Sequence, residues 1–231
     1  MGNHLSKPVC IDFFGLPGCG KSTLSHLTSQ KLRCEGLDVK EVSYDMDHGN
    51  SSLLRSLKKS FSTIWLFLCY PCLFWRVSKA LSLNGISLLS KLYFKHIINL
   101  SYKICALKGY HEIILFDEGF CQAVLSISVN NERIHENCYE SLVSAIASDR
   151  RMIRVYVKTD ADIALTRIRM RNDGQSRLDN LSDKDVIIKM RKMEAFCRAL
   201  PQTLVVDNNN AVFFNDLVDM VAAGIRKEID C

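Results

Sequence analysis

The sequence predicts an α/β domain, a parallel sheet flanked by helices, and two observations carry that prediction. An apolar run over residues 9–14 leads into Gly15-Leu16-Pro17-Gly18-Cys19-Gly20-Lys21-Ser22-Thr23, and a helical pattern follows from Lys21 to Arg33. Further along, Ile113-Ile114-Leu115-Phe116 is a second apolar run, and it ends in Asp117. Strand, glycine turn, helix is the unit from which parallel sheets are wound.

The nine-residue run fits G-x-x-x-x-G-K-[ST]. Glycines at 15, 18 and 20 permit backbone angles and approaches that a side chain would obstruct. The loop can then curl its N–H groups around a phosphate at the positive end of the next helix. Lys21 is placed to reach the β- and γ-phosphates, Ser22 to bind Mg2+ and Thr23 to support the loop. The pattern points to a nucleoside triphosphate with Mg2+, and it leaves open what happens to the γ-phosphate. The plain alternative, an ordinary glycine-rich turn, explains neither flank.

With 231 residues, the chain can bury one substantial α/β core. A hydrophobic share of 48% and a charged share of 24% are ordinary for a soluble protein. A net charge of +5 suits a phosphate-bearing substrate, and no lysine-rich tail or aromatic–basic interleaving marks a nucleic-acid surface. The ten cysteines are scattered, and several sit in apolar patterns as small hydrophobes. They resemble no secreted scaffold, so a reducing, cytoplasmic setting is expected. Cys69-x-x-Cys72 lacks a second pair and reads as packing, and Cys19 reads as a loop filler rather than a nucleophile. Met1-Gly2-Asn3-His4-Leu5-Ser6 fits the N-myristoylation pattern at Gly2, although such short matches also arise by chance. The assembly state, a homodimer among the options, is not encoded in any motif.

In chain order, residues 9–14 form the first strand, Lys21 to Glu35 the first helix, and Gly36 its end. Val39 to Tyr44 reads as a second strand, followed by Asp45-Met46-Asp47. Ligands gather at the C-terminal ends of strands in such sheets, so Asp45 or Asp47 can orient or deprotonate an acceptor hydroxyl. Asp45 is the first choice, and an N-cap or a polar loop is the alternative. Residues 50–108 are helical in spacing. Within them Ile64 to Trp75 is apolar throughout, too short to span a bilayer, and bent by Pro71. Trp65, Phe67, Tyr70, Trp75 and Tyr93 are candidates to face a substrate, with core packing the expected fate of each.

Asp117, at the tip of the third strand, is the expected Mg2+ partner. Glu118 beside it can orient a water or contact substrate. Gly119 leads into a helix from Phe120 to about Asn130, on which Gln122 can point back to the acceptor side. Glu132 to Ala147 reads as helix, Met152 to Val157 as the fourth strand, Thr203 to Asp207 as the fifth, and 215–227 as the last helix. Between the last two strands lie Arg167, Arg169, Arg171 and Arg177 around a glycine-bearing turn. Arg167 and Arg171 share a helix face. Residues 167–180 are therefore expected to form an arginine-bearing lid, with Arg169 pointing elsewhere. Asp207 and Asn208 are expected near the adenine.

This layout resembles the P-loop nucleoside and nucleotide kinases, thymidylate kinases and deoxynucleoside kinases above all. The resemblance rests on Gly15–Thr23, Asp45/Asp47, Asp117, Arg167–Arg177 and Val205-Val206-Asp207. It implies a three-layer α/β/α P-loop NTPase fold, one domain over 1–231 with a five-stranded parallel sheet in 2-3-1-4-5 order. It also implies ATP·Mg2+ as donor and an acceptor under a helical insertion at 50–108. One departure matters. Thymidylate kinases carry Asp-Arg-Tyr after strand three and deoxynucleoside kinases Glu-Arg-Ser, where this chain has Asp117-Glu118-Gly119. The arginine that would meet the acceptor is missing, which opens the field to other small molecules, a sugar among them.

The leading expectation is ATP-dependent phosphoryl transfer to a small-molecule or nucleotide acceptor, with Lys21 and the lid arginines stabilising the transferred group. The alternatives are a nucleotide-hydrolysing switch that uses Glu118 to order water, and a scaffold with a degenerate site. Intact Lys21, Ser22 and Asp117 argue against the last.

Overall fold

The computed structural model describes residues 8–44, 52–83, 86–87, 90–109, 111–130, 143, 150–171, 182–209 and 214–230. Its centre is a five-stranded sheet in the order β2-β3-β1-β4-β5, every pairing parallel. The strands are β1 (Val9–Gly15), β2 (Val39–Glu41), β3 (Ile113–Phe116), β4 (Arg151–Lys158) and β5 (Leu204–Asp207). The order expected from the resemblance is the order found, in a three-layer α/β/α arrangement.

β1 is buried along its whole length, as a central strand covered on both faces must be. Its register sets Asp12 opposite Phe116 on β3 and Gly15 opposite Val157 on β4. Helix α1 (Lys21–Cys34) leaves the loop after β1 and ends at Gly36, whose φ of 87° suits a glycine terminator. It packs against the last helix, α8 (Phe214–Asp230), to make one helical layer. The other layer holds α5 (Phe120–Asn130) and α7 (Asp183–Ala199), which pack on each other and on β1. α6 (Ala161–Arg171) leans on α7, and Ser182 caps α7 by accepting from the Asp185 N–H at 3.2 Å.

The described residues between β2 and β3 include helices α2 (Ser52–Cys69), α3 (Pro71–Leu83) and α4 (Lys91–Leu107). The direction changes by 114° from α2 to α3, at the Tyr70–Pro71 step where a bend was expected. α2 packs along α4, and α4 touches α5. Arg150 holds the return to the sheet by donating to the carbonyls of Leu107, Gly109 and His111 at 2.7, 2.7 and 3.0 Å. Among the described residues no single helix is long and apolar enough to cross a membrane.

Two expectations need correction. β2 stops at Glu41, and residues 42–44 are helical rather than extended. Glu41 is buried and its carboxylate meets His26 Nδ1 at 2.9 Å, while the Tyr44 ring stacks on His26 at 3.7 Å. These side-chain contacts turn the chain back over α1 and end the ladder early. Three aromatics of Ile64–Trp75 are not core either. Phe67, Tyr70 and Trp75 are exposed by 46%, 38% and 60%. α2 packs on α4 and α3, and the rest of its apolar surface is left outside. Tyr93 alone of the five is buried, its hydroxyl donating to Ser78 Oγ at 2.8 Å.

Candidate functional site

A cavity of about 760 Å3 opens at the C-terminal end of β1 and β3. One wall is the 15–23 loop. Gly18 and Gly20 hold φ of 79° and 86°, angles that side chains rarely adopt. The space is closed as well: a Cβ on Gly18 would lie 2.5 Å from the Ala164 carbonyl oxygen, and one on Gly20 2.6 Å from Asn208 Nδ2. Gly20 caps α1 without a side-chain hydrogen bond. The first-turn N–H groups, which a helix cannot satisfy internally, are thereby left to an anion. The loop is braced from below, where the Cys19 carbonyl accepts from Asn208 Nδ2 at 2.8 Å. Gln122 Oε1 accepts from the Gly15 N–H at 3.4 Å.

Cys19 is wholly buried, and burial raises its thiol above the usual range despite the pull of Lys21. That environment suits a filler, not a thiolate nucleophile. Lys21 is buried at the mouth of the loop, with Nζ 3.8 Å from Glu118 Oε1. Glu118 itself is exposed by 60%. Asp117 and Ser22 line the same cavity, and Asp117 Oδ1 is buried with no hydrogen-bond partner. An orphaned carboxylate oxygen and a hydroxyl lining one cavity are hard-oxygen donors that fit Mg2+, which takes one or two protein ligands and fills the rest with water and phosphate. Among the described residues no group of three or more His, Cys, Asp or Glu forms an all-protein metal cage, Cys69 and Cys72 included.

Behind Asp117 and Glu118 lies an arrangement that no motif announced. Asp12, within β1, is fully buried, and its Oδ2 accepts from the Cys121 N–H at 2.9 Å at the start of α5. Gly119 runs directly over it: a Cβ there would lie 2.2 Å from Asp12 Oδ1. Lys103 of α4 donates to the Gly119 carbonyl at 3.0 Å. Burial raises the Asp12 carboxyl, offset in part by the Cys121 hydrogen bond and by Lys103. Burial lowers the Lys103 ammonium, offset in part by the carboxylates of Asp12, Glu118 and Asp117. A lysine from α4 is thus held against the backbone of the Asp117-Glu118-Gly119 run.

Lys103 belongs to the far wall of the cavity, with Lys59 of α2 and Lys95, His96 and Asn99 of α4. Lys59 Nζ is fixed by Asn99 Oδ1 at 3.0 Å. His96 is buried, its Nε2 has no hydrogen-bond partner, and burial and the nearby Lys103 lower its pKa. From α6, Arg167 and Arg171 line the cavity on the loop side. Arg169 turns away, as expected, to Asp183 at 2.7 Å. Lys21, Ser22, Thr23, Asp117, Glu118, Arg167 and Arg171 therefore converge on one space. Asp207 lies at the end of β5, its carboxyl held below the usual range by the Asn209 N–H and Lys158. Asp45, Asp47 and Arg177 lie outside the described residues, as does Gly2.

No family model matches the sequence, and no curated protein matches it either. Solved structures do. A deoxyadenosine kinase from M. mycoides with bound dCTP is 17% identical, with a TM-score of 0.52 over 95% of this chain and 100% of the other. The same enzyme with dCMP and dCDP bound has a TM-score of 0.53 at the same identity and coverage. The fold is P-loop kinase-like. A shikimate kinase from Bacteroides thetaiotaomicron carries it too, 11% identical, with a TM-score of 0.51 over 94% of this chain and 98% of that one. Enzymes named for such different acceptors share the P-loop kinase-like fold, so the fold does not choose the acceptor.

Proposed function

We propose that this protein transfers the γ-phosphoryl group of ATP to a hydroxyl or phosphate of a small molecule that itself carries an anionic group. The observation that carries the reading is a single cavity with two separate cationic walls. On one side are Lys21, Ser22, Asp117, Arg167 and Arg171, and on the other Lys59, Lys95, His96 and Lys103. A hydrolase needs only the first set. The second set is what a second substrate would need.

The loop N–H groups and Lys21 would hold the β- and γ-phosphates, with adenine toward Asp207 and Asn208. Ser22 and Asp117 would hold Mg2+, which when bound neutralises charge on the phosphates. The acceptor oxygen attacks the γ-phosphorus as the bond to the β-phosphate oxygen breaks, and ADP leaves. Lys21, Arg167, Arg171 and Arg177 would stabilise the charge spread over the transferred group. Asp45 or Asp47 would take the proton of an acceptor hydroxyl. Glu118, 3.8 Å from the Lys21 ammonium, would keep that side chain at the phosphates. Lys59, Lys95 and Lys103 would bind the acceptor's own negative group, replacing the strand-end arginine of the related kinases.

The test uses γ-labelled ATP·Mg2+ and a panel of acceptors. Phosphorylated sugars, nucleoside monophosphates and hydroxy acids are set against neutral sugars and nucleosides. Label is expected in an anionic acceptor. Label recovered only as free phosphate, whatever the panel, would overturn the reading in favour of hydrolysis.

A further inference from the structure

Helix α2 is amphipathic in an unusual sense, apolar where it faces outward. Leu53, Leu57, Phe61, Ile64 and Leu68 recur at i, i+4, i+8, i+11 and i+15, so they fall on one line along the helix. Each is exposed by between 57% and 70%. Lys59 and the buried Leu66 lie on the opposite side, toward the cavity and the interior. At the turn into α3 the line widens into an aromatic tip. Phe67, Tyr70 and Trp75 are exposed there, with Trp65 against Tyr70 at 5.2 Å and Phe74 between Phe67 and Trp75. Residues 60–75 contain no charged side chain. Monomeric proteins in water rarely leave so continuous an apolar surface uncovered.

Charge selects the occupant. Between Asp47 and Glu112 there is no Asp or Glu at all, yet there are nine Lys and Arg. The rest of the chain holds 21 Lys and Arg, the total of 30 less these nine, against 25 Asp and Glu. All of the excess positive charge is therefore on the segment that bears the apolar face. Lys58, Arg76 and Lys79 are exposed on the two helices themselves. A second copy of the chain would bring two acid-free, cationic segments face to face, because a two-fold contact pairs each patch with itself. An anionic lipid surface meets both demands, since it takes up Leu, Phe and Trp at the acyl boundary and attracts Lys and Arg at the headgroups.

We propose that α2 and α3 form a docking hairpin that lays the Leu53–Leu68 line and the aromatic tip onto an anionic phospholipid bilayer. The hairpin lies in the interface and does not cross it. The cavity is on the other side of α2, so a docked molecule keeps its site open. This inference is independent of the phosphoryl-transfer reading.

The experiment is vesicle flotation of the full chain, with phosphatidylcholine vesicles containing about one-third phosphatidylglycerol and with phosphatidylcholine alone. The chain is expected to float with the anionic vesicles, to show blue-shifted tryptophan emission, and to come off as salt is raised. Replacing Leu57, Phe61 and Leu68 together by Ser should weaken this association at least about tenfold. The circular dichroism spectrum and thermal midpoint should hold, because these side chains face outward. Three results would overturn the proposal. One is absence of association, or equal association with neutral vesicles. Another is association that the triple variant keeps but Gly2→Ala loses, which would assign it to an acyl chain. The third is a wild-type dimer in sedimentation equilibrium that the triple variant dissolves, which would assign the face to a second copy.

Discussion

The two walls of the cavity are built on opposite principles. The loop wall is made of backbone and short-range motif, with Gly18 and Gly20 in angles and spaces that no other residue fits, held by Asn208 and Gln122. The helical wall is made of long side chains on α2 and α4, with Lys59, Lys95 and Lys103 reaching in from separate turns. A backbone cradle fits any polyphosphate and leaves little room for variation. A set of lysines on helix faces is adjustable one residue at a time. Under the proposed function, the difference separates the wall that would hold the phosphate donor from the wall that would choose the acceptor.

The largest effect should break the loop wall. Lys21→Ala is expected to lower kcat by roughly a thousandfold or more, since it removes a preorganised charge from the transferred phosphate. The fold should persist, because the Glu118 carboxylate it faces is exposed by 60% and stays hydrated. Steady-state kinetics beside a thermal melt would check both, and full activity would sink the mechanism. Lys103→Met addresses the helical wall. Losing one charged hydrogen-bonding partner should raise the acceptor KM roughly 10- to 100-fold and leave the KM for ATP nearly unchanged. Equal rises in both would show that the walls are not separate.

Gly119→Ala tests the joint between the walls. Its Cβ would press on the Asp12 carboxylate, 2.2 Å from Oδ1, and the main chain must move. Overpacking of this kind costs about 1–3 kcal/mol, a fall of several degrees in Tm by calorimetry. The smallest effect concerns His96. Its folded pKa lies below the ordinary 6.5, so the unfolded chain binds the extra proton first as pH falls. Stability is then lost as pH drops from 6.5 toward the folded value. In His96→Gln that stretch of the urea-denaturation profile should be flatter. An unchanged slope would mean that His96 titrates alike in both states.

The loop wall was legible because its signals are contiguous. Strand, turn and helix around Gly15–Thr23, and the acid closing Ile113–Phe116, are read from neighbours in sequence, while the strand order came only as an implication of the family resemblance. The helical wall was not legible for the opposite reason. Lys59 and Lys103 are far apart in the chain, and each alone looks like a solvated lysine on a helix. Asp12 was hidden in an apolar strand, where a carboxylate that meets the start of α5, 109 residues further on, leaves no local pattern. Composition could have helped: the absence of acids from Asp47 to Glu112 is visible in the sequence and marks the whole segment. The exposed line on α2 could not be foreseen from hydropathy, since an apolar run does not say which side will have a neighbour.

Arg150 fixes one end of the segment that carries both lysines and the apolar line. Its guanidinium fork on the carbonyls of Leu107, Gly109 and His111 pins the exit of α4 to the start of β4. The exit of the segment is thereby fixed at the edge of the sheet where β3 and β4 begin. Under the two proposals above, a graft of residues 52–107 between two chains of this fold would carry acceptor preference and surface attachment together, provided an arginine is kept at the seam. Inheritance of the two traits as one block is the evolutionary signature that this joint predicts.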